Sequence, residues 1–116
     1  MNLRIKGQNL RFRISKEELE TLCCGCEVTQ RTLFPGQRAL GINIITRSME
    51  NTLQVTFEED SITLCVHAQA AEDLYHALPS REGIQARQKI HAMQMLELAL
   101  EVDIRTQKRR RGSHAS

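Results

Sequence analysis

Hydrophobic and polar residues alternate along two short stretches near the start of the chain. Every second residue is apolar in residues 3–6 and again in residues 10–14, a period of two that is typical of strands with one buried face. Gly7 begins the gap between them, and a two-residue loop that starts with glycine suits a type II′ turn. The pattern therefore predicts a β-hairpin with Ile5 opposite Leu10. A loop one residue further along changes this pairing but keeps the same two faces.

A short helix is predicted directly after the hairpin. Ser15 and Glu18 fit a capping box, in which the hydroxyl and the carboxylate each accept a hydrogen bond from the other residue's free backbone N–H. Leu19 and Leu22 form a short apolar stripe, and Gly25 suits the end of a helix. The N-terminal segment is therefore predicted to fold as ββα.

The same order of apolar positions returns in the second half of the chain. Seven apolar positions between Leu3 and Leu22 have apolar counterparts 52 residues later, between Val55 and Leu74. A constant offset without gaps is expected if one ββα unit is used twice. Any two hairpins that each precede a helix would also align in this way, so chance similarity is the alternative.

The remaining segments complete two ββαββ units. The further predicted elements are strands at 27–34, 39–46, 84–90 and 96–104 and a helix at 68–78. Helix competes for the last strand, because residues 93–100 have good helical propensity. Strict alternation favours the strand. We therefore predict one α+β domain over residues 1–104, with about eight short, mainly antiparallel strands and two helices.

Composition narrows the kind of site that such a domain can carry. The 116 residues are 41% hydrophobic and 26% charged, as in a globular protein, but only 3% aromatic. Few aromatic rings argue against a site that stacks bases or sugars. No apolar run approaches the ~20 residues of a membrane span, and the four cysteines lack the spacing of a disulfide framework. We expect a cytoplasmic protein with reduced thiols, no cofactor and no membrane partner.

The polar face of the first hairpin is basic in either register. Its residues are Arg4, Lys6, Arg11 and Arg13. Because the arginine fork binds phosphate or carboxylate through two hydrogen bonds, this face is predicted to accept anions. An acidic protein or a polyanion would be the partner, with nucleic acid as an open alternative. An internal explanation competes, because the last strand carries an acidic row that would neutralise the basic face if the strands are neighbours. The row consists of Glu97, Glu101 and Asp103.

Residues 105–116 are predicted to form a basic, flexible tail. Residues 108–111 are one lysine and three arginines in succession. Such clusters bind polyanions without sequence preference through the release of counterions. More often they are solvated chain ends, so the tail is the weaker of the two basic candidates.

One set of cysteine and histidine side chains resembles a metal site. Its candidate ligands are Cys24, Cys26, Cys65 and His67. Zinc sites usually use two separated pairs such as C-x₂-C, and the single residue between the first two cysteines is too tight for that. We therefore predict no metal site. The chain also lacks a Ser/His/Asp set, a P-loop and a dinucleotide-binding glycine motif, so no catalytic residue is predicted.

A binding module is therefore the leading prediction, and two other functions stay open. Residues 101–105 resemble the E-x-E-x-K strand of triphosphate-tunnel phosphohydrolases, in which acidic and basic residues hold metal and phosphate inside a barrel. In that case Glu97, Glu101 and Asp103 would act against the basic residues of the hairpin. The third candidate is a structural or assembly protein, for instance a homodimer, because the edge strands of small sheets favour pairing.

The first hairpin resembles that of a family of small bacterial proteins of unknown function. Residues 1–15 are similar to the family opening M-K-[IL]-R-[IL]-[KR]-G-N-S-[IL]-R-[LF]-R-[IL]-[ST], and residues 57–66 to its second hairpin, F-x-x-[DG]-x-I-x-[VL]-x-[VI]. The chain departs at Gln8-Asn9, where Asn-Ser is usual, and in its cysteine cluster at 23–26. The resemblance implies the fold and a bacterial cytosolic setting, and it brings no established activity.

Overall fold

The computed structural model describes residues 1–107, and within them it follows the predicted order of elements. The elements are β1 (Asn2–Lys6), β2 (Asn9–Ile14), α1 (Lys16–Cys23), β3 (Val28–Phe34), β4 (Arg38–Arg47), β5 (Leu53–Glu58), β6 (Ser61–His67), α2 (Ala68–Ala77), β7 (Ile84–His91) and β8 (Gln94–Val102). A helical turn at 104–107 follows. The predicted α+β class is confirmed, and residues 94–100, for which helix competed, are strand.

The strands form two four-stranded sheets, each built from both halves of the chain. Sheet A has the order β1-β2-β8-β7, and sheet B has the order β3-β4-β6-β5. Neighbouring strands are antiparallel except at the centre of each sheet, where β2 is parallel to β8 and β4 is parallel to β6. The central registers are equivalent, since Phe12 opposite Leu100 in sheet A corresponds to Leu64 opposite Ile44 in sheet B. This arrangement fits a duplicated ββαββ unit.

The hairpin registers agree with the sequence pattern. Ile5 lies opposite Leu10, with Gly7 at φ +59° as the first loop residue. In the second hairpin Phe57 lies opposite Ile62, with the loop between them at 59–60. Alternation therefore placed the apolar residues of both hairpins on the correct face, and turn chemistry selected the register.

One mainly aliphatic core connects the inward faces of the two sheets with the helices. Buried residues include Phe12 from β2 and Leu64 from β6, together with Leu19 from α1 and Leu74 from α2. Each helix follows the carboxyl end of a central strand, and the two helices contact each other and β4. We call this the helix end. The four hairpin loops precede the central strands, so they lie at the opposite end, which we call the turn end.

The start and stop signals of α1 act as predicted. Ser15 Oγ accepts a hydrogen bond from the backbone N–H of Glu18 at 3.0 Å, and Glu18 Oε1 accepts one from the backbone N–H of Ser15 at 2.9 Å. Gly25 has φ +84°, and its N–H donates to the carbonyl of Leu22 at 2.9 Å. No helix in the described residues is long and apolar enough to cross a membrane.

The last strand ends earlier than the predicted 96–104. Asp103 instead begins the helical turn at 104–107, where its Oδ1 accepts a hydrogen bond from the backbone N–H of Arg105 at 2.9 Å. The side chain of Gln107 donates to the carbonyls of Ser80 and Val102, each at 3.0 Å. Residues 105–107 are thus bonded to the rest of the domain. Residues 108–116, with the predicted basic cluster, lie outside the described part of the chain.

The two sheets are joined differently along their two sides. Between β5 and β7 the side chain of Gln88 bonds both backbone groups of Val55, accepting from the N–H at 2.7 Å and donating to the carbonyl at 3.1 Å. Thr32 on β3 holds the equivalent position in the other half, yet every residue of β3 after Val28 is exposed. The two-sheet body is closed between β5 and β7 and open along β3.

Candidate anion-binding site

The hairpin of β1 and β2 brings its four predicted basic residues onto one outer face. Arg4 lies directly opposite Arg11, Lys6 opposite Asn9, and Arg13 opposite Asn2. All four basic side chains are exposed. They point outward because the intervening residues of each strand face the core. We call the set of Arg4, Lys6, Arg11 and Arg13 the basic face.

A small depression lies in the middle of the basic face. It is lined by Asn2, Arg4, Arg11 and Arg13 and has a volume of about 10 Å³. That volume accommodates about one water-sized group. The depression therefore suits a single oxygen of an anionic group, and it is too small to enclose a whole ligand.

The acidic row of β8 lies beside the basic face, as expected if the two neutralise each other. Only one acid of the row, however, pairs with the basic face. Glu101 lies opposite Arg13 in the parallel register of β2 and β8. Its Oε2 is 3.4 Å from Arg11 Nε, and its Oε1 is 3.6 Å from Arg13 Nη2. Two guanidinium groups thus share one carboxylate.

The other two acids of the row have different partners. Glu97 Oε1 lies 3.8 Å from Nε of Arg87 on β7. Asp103 Oδ2 lies 3.1 Å from Nη2 of Arg105, and hydrogen bonds from Arg105 hold the pKa of the Asp103 carboxyl below its usual range. Among the described residues, no carboxylate lies within 4 Å of the charged groups of Arg4 or Lys6. Four positive charges therefore face the one negative charge of Glu101.

The predicted metal candidates do not converge on a site. No group of three or more His, Cys, Asp or Glu side chains in residues 1–107 could hold a metal ion. Cys24 and Cys26 are exposed, whereas Cys65 is buried. His67 has another role, because its Nδ1 accepts the backbone N–H of Gln69 at 3.0 Å and so caps the start of α2. This cap was not predicted from the sequence, since histidine is an unusual capping residue.

The structure also shows a larger depression beside the basic face. It has a volume of about 410 Å³, with Ala99 at its centre and Arg11 and Arg87 on either side. A depression of about 490 Å³ occupies the equivalent place on sheet B, beside Arg31. Neither depression was predicted from the sequence, because each is lined by three strands whose order depends on the parallel pairing at the centre of the sheet.

Comparison with known proteins gives a family without an assigned activity. The model of a family of unknown function (DUF7009) matches residues 1–114. No curated protein and no solved structure matches the chain. The predicted resemblance to a family of unknown function is confirmed at that level. Since the match covers nearly all of the sequence, the protein belongs to this family of unknown function.

Proposed function

We propose that the protein is a non-catalytic binding module that takes anionic groups of a partner on the basic face. The observation that carries the proposal is the direct opposition of Arg4 and Arg11 on neighbouring strands. Like charges opposite each other destabilise a sheet, and an anion between them removes that cost. The guanidinium groups can each offer two parallel hydrogen bonds to phosphate or carboxylate.

The shape of the surface supports a ligand that lies across the sheet. The depression between Arg4, Arg11 and Arg13 holds one oxygen-sized group, and Arg11 also borders the larger depression that extends to Arg87. Glu97 also lines the larger depression and pairs with Arg87, so a row of anionic groups that follows this path from β1 to β7 must displace Glu97 from Arg87. We therefore propose an extended polyanion or an acidic segment of a protein as the ligand, rather than a small enclosed molecule.

A metal-dependent triphosphate hydrolase has less support from the geometry. Such an enzyme needs its acids inside a barrel, whereas Glu97 and Glu101 lie on the outer face of β8 and Leu98 and Leu100 face the core. We expect no phosphate release from tripolyphosphate with Mg²⁺ or Mn²⁺. Release that depends on the metal and is lost in Glu101→Gln would favour the hydrolase instead.

We also propose a cytoplasmic location. The four cysteines are free, and Cys24 and Cys26 are exposed two residues apart. Exposed thiols of this kind suit a reducing compartment better than an oxidising one. Fractionation of cells that produce the full chain tests this proposal, and recovery of an oxidised protein from an extracytoplasmic fraction would contradict it.

Binding of fluorescently labelled polyphosphate and of a poly-glutamate peptide, each at several salt concentrations, tests the proposed site. Arg4→Gln with Arg11→Gln should weaken binding at least about tenfold, because each lost charged hydrogen bond contributes about 1.5–3 kcal/mol. Glu101→Gln should strengthen binding, since it removes the carboxylate that competes for Arg11 and Arg13.

Matched controls separate the basic face from other positive charges. Arg31→Gln with Arg47→Gln removes the same charge from sheet B and should leave binding unchanged. A chain that ends at Gln107 lacks the basic cluster at 108–111 and should still bind. The proposal would be refuted if the truncated chain no longer binds while the variant with Arg4→Gln and Arg11→Gln still does. That result would place anion binding in the tail.

A further inference from the structure

The exposed large apolar side chains of the described residues all lie at the turn end. They are Ile5, Leu33, Phe34, Phe57, Ile90, Met93 and Met95. Each lies in a hairpin loop or within two residues of one. Phe57 is 71% exposed and Ile5 57% exposed, although both continue the inward-facing positions of their strands. The core is therefore covered by the helices at one end and open to solvent at the other.

The area of this apolar end is that of an interface. At roughly half of the 150–250 Å² that a large side chain can bury, the seven together expose on the order of 700 Å². Leu33 and Met95 contribute their share on the outer faces of β3 and β8, because they alternate with the inward residues of these strands. The largest apolar patch of a typical monomer is about 300–600 Å², whereas a standard interface buries about 800 Å² per partner. The turn end is thus large enough to bind a second protein surface of similar character.

Charges around the apolar end divide it into two halves of opposite sign. Lys6 and Lys89 lie next to the loops of sheet A, and Glu58 and Glu59 lie at the loop between β5 and β6 of sheet B. None of these four has an ion pair within 4 Å among the described residues. In sheet B, Arg38 and Asp60 neutralise each other through two contacts of 3.1 Å.

We propose that a second copy of the chain covers the turn end in a two-fold symmetric dimer. In this dimer the sheet A loops of each copy meet the sheet B loops of the other. The two-fold axis produces two equivalent contacts, and in each of them the lysines of one copy lie opposite the glutamates of its partner. The exposed apolar side chains form the centre, and the charges form the rim. The turn end carries equal numbers of these positive and negative charges. A second copy of the chain therefore complements it better than an anionic lipid surface does. The dimer does not require anion binding by the basic face, although the two proposals share Lys6.

Sedimentation of the full chain between about 1 and 100 µM tests the dimer. We expect a mass twice that of the 13.3 kDa chain. Phe34→Ser with Phe57→Ser should weaken dimerisation at least about tenfold, because both side chains lie in the apolar centre. Both are at least half exposed in the single chain, so circular dichroism should show an unchanged fold.

Charge reversal gives the sharper test, performed without polyanion because Lys6 also belongs to the basic face. Lys6→Glu with Lys89→Glu makes both halves negative, and Glu58→Lys with Glu59→Lys makes both halves positive. Each double variant alone should be monomeric, and an equimolar mixture should form a heterodimer of near wild-type affinity, because like charges oppose binding and opposite charges restore it. Arg47→Glu, a reversal at the helix end, should dimerise normally.

Three results would overturn the proposal. The first is a wild-type chain that is still monomeric at about 100 µM. A monomer that binds neutral lipid vesicles through the turn end counts as the same result. The second is a mixture of the two charge-reversed variants that stays monomeric. The third is a dimer that persists in every variant of the turn end, which would place the interface elsewhere, for example along the open edge of β3.

Discussion

Cys23 shows how packing between two helices determines the chemistry of one side chain. Its Sγ lies between α1 and α2 and donates to the carbonyl of Ala71 at 3.6 Å. Burial raises the pKa of this thiol, and the nearby negative charges of Glu72 and Glu20 raise it further. The thiol is therefore a neutral packing group, and it is a poor nucleophile.

The raised pKa of Cys23 predicts a loss of stability at alkaline pH. The folded protein holds this proton more tightly than the unfolded chain, so the stabilisation is complete below the ordinary thiol pKa of 9.0 and is lost as pH rises through the higher folded value. The stability difference between wild type and Cys23→Ala should therefore shrink above about pH 9. Urea unfolding from pH 7 to 10.5 measures it, with Cys26→Ala as a control for losing a thiol. A difference that stays constant with pH would contradict the prediction.

At the scale of elements, two edge strands from different sheets are joined by one side chain. Gln88 on β7 supplies the donor and the acceptor that an adjacent backbone would otherwise supply to Val55 on β5. Val55 is buried, so water is a poor substitute for these bonds. The glutamine thereby protects the edge of β5 and closes one side of the two-sheet body.

Replacement of Gln88 should destabilise the protein. Gln88→Ala leaves a buried N–H and a buried carbonyl of Val55 unpaired, and we expect the free energy of unfolding to fall by about 1–3 kcal/mol. Gln88→Glu keeps the acceptor but sets a carboxylate oxygen against the carbonyl of Val55, so at neutral pH its effect should be at least as large as that of Gln88→Ala. Gln85→Ala, on the exposed face of the same strand, should change stability by no more than about 0.5 kcal/mol. Equal effects of the substitutions at positions 85 and 88 in urea unfolding would show that the hydrogen bonds between Gln88 and Val55 do not stabilise the protein.

At the scale of the whole molecule, two equivalent halves produce an asymmetric body. The central registers of sheets A and B correspond residue by residue, but only the side of β5 and β7 is closed. The equivalent side leaves β3 exposed beyond Val28. One pair of positions contributes to the difference, because Thr32 is too short to make the two bonds that Gln88 makes.

This asymmetry predicts different local stability in two equivalent strands. The hydrogen-bonded amides of β3 should exchange with solvent at least about tenfold faster than those of β7, because local opening of β3 exposes less apolar surface. Hydrogen exchange followed by mass spectrometry measures both strands in one sample. In Gln88→Ala, exchange in β7 should approach the rate in β3. Equal protection of β3 and β7 in the wild type would indicate that the open side is covered in solution.

Most of the local structure could be predicted from the sequence, because neighbouring residues determine it. Gly7 at the start of the two-residue loop specified the register of the first hairpin, and Ser15 with Glu18 specified the start of α1. The basic face followed from the same alternation. Predictions were less accurate at Asp103, where alternation suggested continued strand but the carboxylate caps a helical turn. Asp, Asn, Ser and Thr side chains compete with strand bonding at such positions.

By itself, therefore, the sequence determined the two hairpins, the two helices and the face on which each basic residue lies, since these depend on contacts within a few residues. Only the tertiary structure decided that β2 lies beside β8, and hence that Glu101 reaches Arg11 and Arg13 while Arg4 and Lys6 keep their charge uncompensated. It also decided that Gln88 closes one side of the body. The physical reason is that an alternating strand presents the same apolar face to the core whichever strand lies next to it, so periodicity carries no information about strand order.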